Sequence, residues 1–340
     1  TSLKGDIINN AAVVFNQAID GTYAGAISGS GSLTKSNNNK TLILTGANTY
    51  SGGTTVSGGI LQGDTTSLKG DIINNAAVVF NQVSEGTYAG IISGTGSVTK
   101  QNAGTLIVKG PNTYSGGTTV SGGTLQGDTT SLKGDIINNA AVVFDQVNEG
   151  TYAGAISGSG SVTKQNTGTL IVTGVSTYTG ATTVSAGTLQ GNTTSLPGNI
   201  LNNAAVVFDQ EIDGTYAGAI SGTGSVTKQN VGTLIVKGPN NYSGGTTVSG
   251  GILQGDTTSL TGDIINNATV VFNQASEGTY AGTISGTGSV TKQNMGTLII
   301  TGTNTYTGKT TVSEGTLQGN TTSLTGDIIN NAAVVFNQVS

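Results

Sequence analysis

Asp209, Glu211 and Asp213 form the one local cluster of carboxylates in the chain. Alternate residues on a strand share a face, so these three side chains have the spacing to hold Ca²⁺ or to act on a sugar. The rest of the chain weakens that reading. The corresponding positions in the other copies of the surrounding pattern are mostly Asn and Ala or Val, such as Asn81 and Val83. His and Cys are absent, which removes the imidazole base, the soft metal site and the triads of acyl transfer. The stretch from Gly302 to Thr310, GTNTYTGKT, has five residues between its glycines where a phosphate-binding loop needs four, and no helical pattern follows Lys309. Short runs such as Gly94–Gly96 lack the pattern of Ca²⁺-binding nonapeptide coils. No catalytic residue, metal or cofactor is therefore expected, and the chain reads as non-enzymatic.

The elements that would have to position any site are themselves repeated. The stretch GTLIVKGPNTYSGGTTVSGGTLQG at Gly104–Gly127 recurs from Lys40, Gly168, Gly232 and Gly296, and TSL tripeptides recur at Thr1, Thr66, Thr130, Thr194, Thr258 and Thr322. The offset is 64 residues throughout, apart from one extra residue in the polar run Ser36–Lys40, which marks a surface loop. The repeats are 1–65, 66–129, 130–193, 194–257 and 258–321, with a partial sixth at 322–340, in one elongated array. The chain begins and ends in mid-pattern and reads as a piece of something longer.

Composition narrows the class. The net charge is −5, Arg is absent and the lysines are dispersed, so nucleic acid is not an expected partner. No apolar run approaches the ~20 residues of a membrane span. Gly, Asn, Thr and Ser separate short β-prone runs, and no run has a helical period. Dividing the 64-residue repeat by three gives a little over 21 residues, about one coil of a parallel β-solenoid. The expectation is all-β, a right-handed parallel β-helix of about 16 coils, three coils per repeat.

Alternation assigns faces. Leu42/Leu44, Leu106/Val108, Leu170/Val172, Leu234/Val236 and Leu298/Ile300 should point inward. Ile43, Ile107, Ile171, Ile235 and Ile299 should point outward, either covered by a neighbouring element or forming a sparse stripe for binding. The Phe column (Phe80 and equivalents) and two Tyr columns (Tyr88, Tyr114 and equivalents) suit core or turn packing, with hydroxyls at the wet edge. A glycan-stacking platform is the alternative. The acids Asp20, Glu85, Glu149, Asp213 and Glu277, and Asp6, Asp71, Asp135, Asp263 and Asp327 with Asn199 in the fourth repeat, read as turn and cap positions. Lys35, Lys100, Lys164, Lys228 and Lys292 read the same way, as corner charges that keep the solenoid soluble.

The Gly104–Thr105–Leu106 strand, the Asn112–Gly117 loop and the Thr118–Leu125 return resemble the passenger-associated transport repeat, also called the autotransporter-associated β-strand repeat, of bacterial type V secretion. The SGSGSVTK run before them is also similar to the family. The resemblance implies a right-handed β-helix that crosses the outer membrane as an extended chain and folds outside. It implies a surface or extracellular location, a C-terminal β-barrel translocator in the full-length protein, repeats that promote secretion, and a passenger that serves as an adhesin toward a host cell or another bacterial cell. Near-identical tandem copies suggest a stalk or spacer. The alternatives are a polysaccharide-active enzyme or carbohydrate-binding surface on the same fold, and an ice-binding Thr array. Uncapped solenoid ends suggest end-to-end self-association.

Overall fold

A computed structural model describes residues 3–36 and 39–337. Thr1 of the first TSL, and Asn37 and Asn38 within the inserted run, lie outside the described residues. Strands of two to five residues alternate with turns, and no helix occurs among the described residues. The strands are short runs rich in apolar and Thr residues, separated by turns rich in Gly, Ser and Asn. All the strand pairs described below are parallel, so the expected parallel β-solenoid is what forms.

The chain divides into two compact units, residues 1–165 with 174–180, and residues 166–173 with 181–340. The first holds three long ladders besides the short pair of Ile7–Ile8 with Ile27–Ser28. One contains Ala12–Phe15, Ser32–Lys35, Thr54–Val56, Ile72–Asn74 and Ile92–Ser93. A second contains Gly21–Tyr23, Thr41–Leu44, Ile60–Gly63, Ala77–Asn81, Ser97–Gln101, Thr118–Val120, Ile136–Asn138 and Ile156–Ser157. The third contains Gly86–Tyr88, Thr105–Val108, Thr124–Gly127, Ala141–Asp145 and Ser161–Gln165. Ladder partners are separated by as few as seventeen residues, Leu61 and Val78, and as many as twenty-one, Gly21 and Leu42.

This step fixes the phase of the repeat. Ala12–Phe15, Ala77–Asn81 and Ala141–Asp145 are the same segment in three successive repeats, yet each lies in a different ladder. In the second unit, Ala205–Asp209, Thr269–Asn273 and Ala333–Phe336 likewise occupy three ladders. A repeat thus completes three coils and about a third of another, and its features move to the next face each time.

Inside, one inward column of the second ladder reads Gly63, Phe80, Lys100, Val120 and Asn138. Gly63 leaves room for the TSL turn that follows it, because a Cβ there would meet the Ser67 Oγ at 2.5 Å and the Leu68 side chain at 2.9 Å. Phe80 is fully buried and meets Tyr88 edge-on, ring centroids 5.0 Å apart. Burial of the ring contributes about 2–3 kcal/mol and the edge-on pairing about 1 kcal/mol more. The Tyr hydroxyls are not at a wet edge as expected. Tyr88 donates to the Gly70 carbonyl at 2.5 Å and Tyr50 pairs with Thr54 Oγ1 at 2.8 Å, both rings being buried. Desolvation pushes both phenols above their ordinary range. Aromatic faces buried in this way offer no platform for stacking a glycan.

Candidate functional site

The carboxylate cluster does not converge. Asp209 ends its strand, with Oδ2 accepting from Gln190 Nε2 at 3.0 Å and Oδ1 accepting from Asn230 Nδ2. Asp213 accepts from the Thr233 amide at 2.7 Å. Glu211 lies beyond the strand, in a bend, where the alternation that would align it with Asp209 has ended. Among the described residues no group of three His, Cys, Asp or Glu side chains could hold a metal ion. Lys309 sits exposed on a loop followed by the strand Thr310–Val312, so no helix N-terminus is available for a phosphate.

Several of the remaining acids act as caps across one coil step. Asp71 accepts from the amide of Ile91 at 2.8 Å, Asp135 from Ala155 and Asp263 from Thr283, and Asn199 makes the same bond to Ala219 at 2.9 Å. The amide substitutes for the carboxylate, so the position uses an acceptor oxygen rather than a charge. Asp20 caps Thr41 in the same manner. A different set, Asp64, Asp128 and Asp256, closes the TSL turn: Asp128 accepts from the Thr130 amide and hydroxyl and from the Ser131 amide. Burial raises these carboxyls, but the hydrogen bonds from Thr and Ser outweigh it and hold them below the usual carboxylate range.

The lysine column corrects the expectation most sharply. Lys35, Lys100, Lys164, Lys228 and Lys292 are not corner charges in solvent, for each has 0% exposure. Lys100 follows Val98 on the inward face of Ser97–Gln101, with its neighbours Phe80 and Val120 on either side in the column. Its Nζ donates to the carbonyls of Gln101 at 3.0 Å, Asn102 at 2.7 Å and Gly122 at 2.9 Å. Lys228 repeats the cage with Gln229, Asn230 and Gly250, and Lys292 with Gln293, Asn294 and Glu314. Lys35 donates to Ser36 and Gly58, and Lys164 to Gln165.

Asn102, Asn230 and Asn294 are left-handed, with φ of 66°, 66° and 71°. Asn tolerates that region better than other non-Gly residues, and the turn brings two successive carbonyls to one ammonium. The third carbonyl comes from the following coil. Desolvation lowers the lysine pKa values, while three charge-assisted hydrogen bonds satisfy the three donors.

Ile43, Ile107, Ile171, Ile235 and Ile299 do point outward and are half-buried. Ile107 lies between Thr87 and Gln126 of the adjacent strands and lines a shallow cleft with Lys109, Gln126, Asp128 and Asp145. The same cleft recurs at Ile43, Ile171 and Ile235. The isoleucines do not fall in one line along a face. Ile43 and Ile107 occupy different ladders of the first unit, and Ile171, Ile235 and Ile299 occupy three ladders of the second. More exposed apolar residues lie elsewhere. Ile73, Ile137 and Ile265 of three DIIN runs, with Leu201 of the NILN run, are between 42% and 50% exposed, and Val231 and Met295 reach 84% and 75%. Alternation within DIIN was the signal for the first group.

The Passenger-associated-transport-repeat family matches residues 33–62, 98–126, 162–190, 226–254 and 290–318. Each match takes in one caged lysine, its turn and one outward Ile. Over 210 residues the chain is 34% identical to a protein described as "Adhesin BmaC autotransporter" from Brucella suis biovar 1 (strain 1330). The aligned region covers 51% of this chain and 6% of that protein, so the chain spans a small part of that relative's length. No solved structure matches the chain. The polypeptide therefore carries five matches to the passenger-associated-transport-repeat family and is similar over half its length to an autotransporter adhesin.

Proposed function

We propose that this chain is a non-enzymatic stalk segment of a secreted autotransporter passenger, which promotes its own secretion and folding and supports an adhesin at the bacterial surface. The observation that carries the reading is that polar groups, in the interior and at the surface, are satisfied one coil ahead. Lys100 reaches Gly122, and Asp71 and Asp263 cap Ile91 and Thr283. A coil is incomplete until its neighbour docks, so folding propagates from a formed end at low loop-closure cost per step. Growth outside the outer membrane captures emerging chain and biases its passage. The full-length protein would carry a C-terminal β-barrel translocator, and its adhesive contacts, toward a host cell or another bacterium, would lie mainly outside these repeats. The shallow and scattered clefts, together with carboxylates committed to caps, favour a stalk over a polysaccharide-active enzyme.

The test replaces Leu106 and Val108 with Asp in a full-length autotransporter carrying this segment and measures passenger at the cell surface. Reduced display is expected, because both side chains are buried in the coil. Undiminished display would refute the transport role.

A further inference from the structure

The apolar interior of this solenoid carries little information about which coil should follow which. Thr41–Leu44, Thr105–Val108, Ile60–Gly63 and Thr124–Gly127 all show the same alternation of half-buried and buried positions. The first inward residue of each is a buried Leu, Leu42, Leu106, Leu61 and Leu125, so that position is the same in all four strands. A coil that docked one place out of order would therefore still bury most of its apolar surface. Something polar must discriminate between neighbours, and a buried group that requires a particular partner is the best-attested device for fixing register.

We infer that Lys35, Lys100, Lys164, Lys228 and Lys292 determine the order in which coils stack. Two acceptors of Lys100, Gln101 and Asn102, belong to its own turn and are present whatever follows. The third, Gly122, belongs to the Ser121–Gly122–Gly123 turn of the next coil. That turn fits the lysine's turn closely: a Cβ on Gly123, whose φ is +65°, would lie 2.3 Å from the Gly104 carbonyl and 2.5 Å from that of Asn102. Gly251 meets Gly232 and Asn230, and Gly315 meets Gly296 and Asn294, in the same way. Only the coil that contributes this turn both completes the cage and clears the contact. Any other coil leaves an ammonium buried without its third acceptor. The lysine keys coil order within a repeat. A slip of a whole repeat preserves the cage and is opposed by the length of chain left unstacked. The inference concerns the order of stacking and stands apart from whether the chain is exported.

The chain has no Cys, so introduced pairs report register cleanly. In the complete chain, Thr99→Cys with Thr119→Cys joins outward residues that face each other in the native ladder. Thr99→Cys with Ile137→Cys spans two strand steps, because Thr119 in turn faces Ile137. At ~9.6 Å that second pair is beyond the reach of a disulfide unless a coil has been skipped. After refolding from denaturant, the Lys100 chain should close the first pair and almost none of the second. With Lys100→Met, which fills the same apolar channel without the charge, the skipped-coil disulfide should rise several-fold. The urea midpoint of the correctly linked fraction should fall less than that of Lys100→Ala, because Met keeps the channel filled while the cage carbonyls lose their donor. A Lys100→Met chain that refolds with an unchanged disulfide pattern would overturn the inference. So would one that fails to fold or loses stability with its register intact, because the lysine would then contribute stability rather than order.

Discussion

Lys100 is fully buried and gives its ammonium to three backbone carbonyls, one of them in the following coil, whereas Asp71 stands on the surface and accepts one amide, that of Ile91. Both residues tie a coil to its successor, but they use different properties. At the acid position Asn199 makes the bond equally well, so the charge is dispensable there. At the lysine position the stem reaches across the interior and all three N–H donors are used, and every repeat has Lys. The inner tie is specific in shape and donor number, while the outer tie asks only for an oxygen.

This contrast can be broken or sharpened by substitution. Lys100→Ala should have the largest effect, about 3 kcal/mol or more in urea unfolding, since it opens a cavity beside Phe80 and leaves buried carbonyls without a donor. Tyr88→Phe keeps the ring against Phe80 and removes only the bond to Gly70, which predicts a loss of about 1–2 kcal/mol by the same measurement. Asp71→Ala should cost less than either, and Asp71→Asn should leave the unfolding midpoint unchanged. An Asp71→Asn effect as large as that of Lys100→Ala would erase the distinction between the two ties.

Acid should separate the two kinds of charge without mutation. The carboxyls of Asp64, Asp128 and Asp256 are held below their ordinary range in the fold. The stability they contribute is therefore fully present above the unfolded carboxylate pKa of about 3.9 and is lost as pH falls through the lower folded value. The caged lysines lose no charge as the pH falls, because acid can only add protons to them. Thermal unfolding followed from pH 6 downward should decline only below about pH 4, and the triple Asn variant at these positions should flatten the decline.

Most of the fold was legible in the chain. The 64-residue offset announced a repeat, and the alternation in Leu106–Ile107–Val108 placed the inward and outward faces as found. The caged lysine was also written in the pattern, because Val98 and Lys100 alternate in Ser97–Gln101 as Leu106 and Val108 do. The expectation that charge lies at the surface obscured it. Its acceptor Gly122 is twenty-two residues away, and only the coil step brings it near. The azimuth of the Ile column was hidden for a related reason. It depends on a coil length that varies with each turn, and a small change in that length moves Ile43 and Ile107 onto different ladders. The carboxylate cluster, discounted already because the other repeats lack it, does not form because Asp209 ends its strand and the alternation does not continue to Glu211 and Asp213.

Under the proposed function, coil stacking rather than any surface feature of the repeat drives delivery of the passenger. The most direct test compares adjacent residues on opposite faces, Leu106→Asp and Ile107→Asp, each in the same full-length protein, by the amount of passenger displayed at the cell surface. The account predicts that Leu106→Asp sharply reduces display and that Ile107→Asp leaves most of it. Equal display from the two variants, or a greater loss from Ile107→Asp, would contradict it.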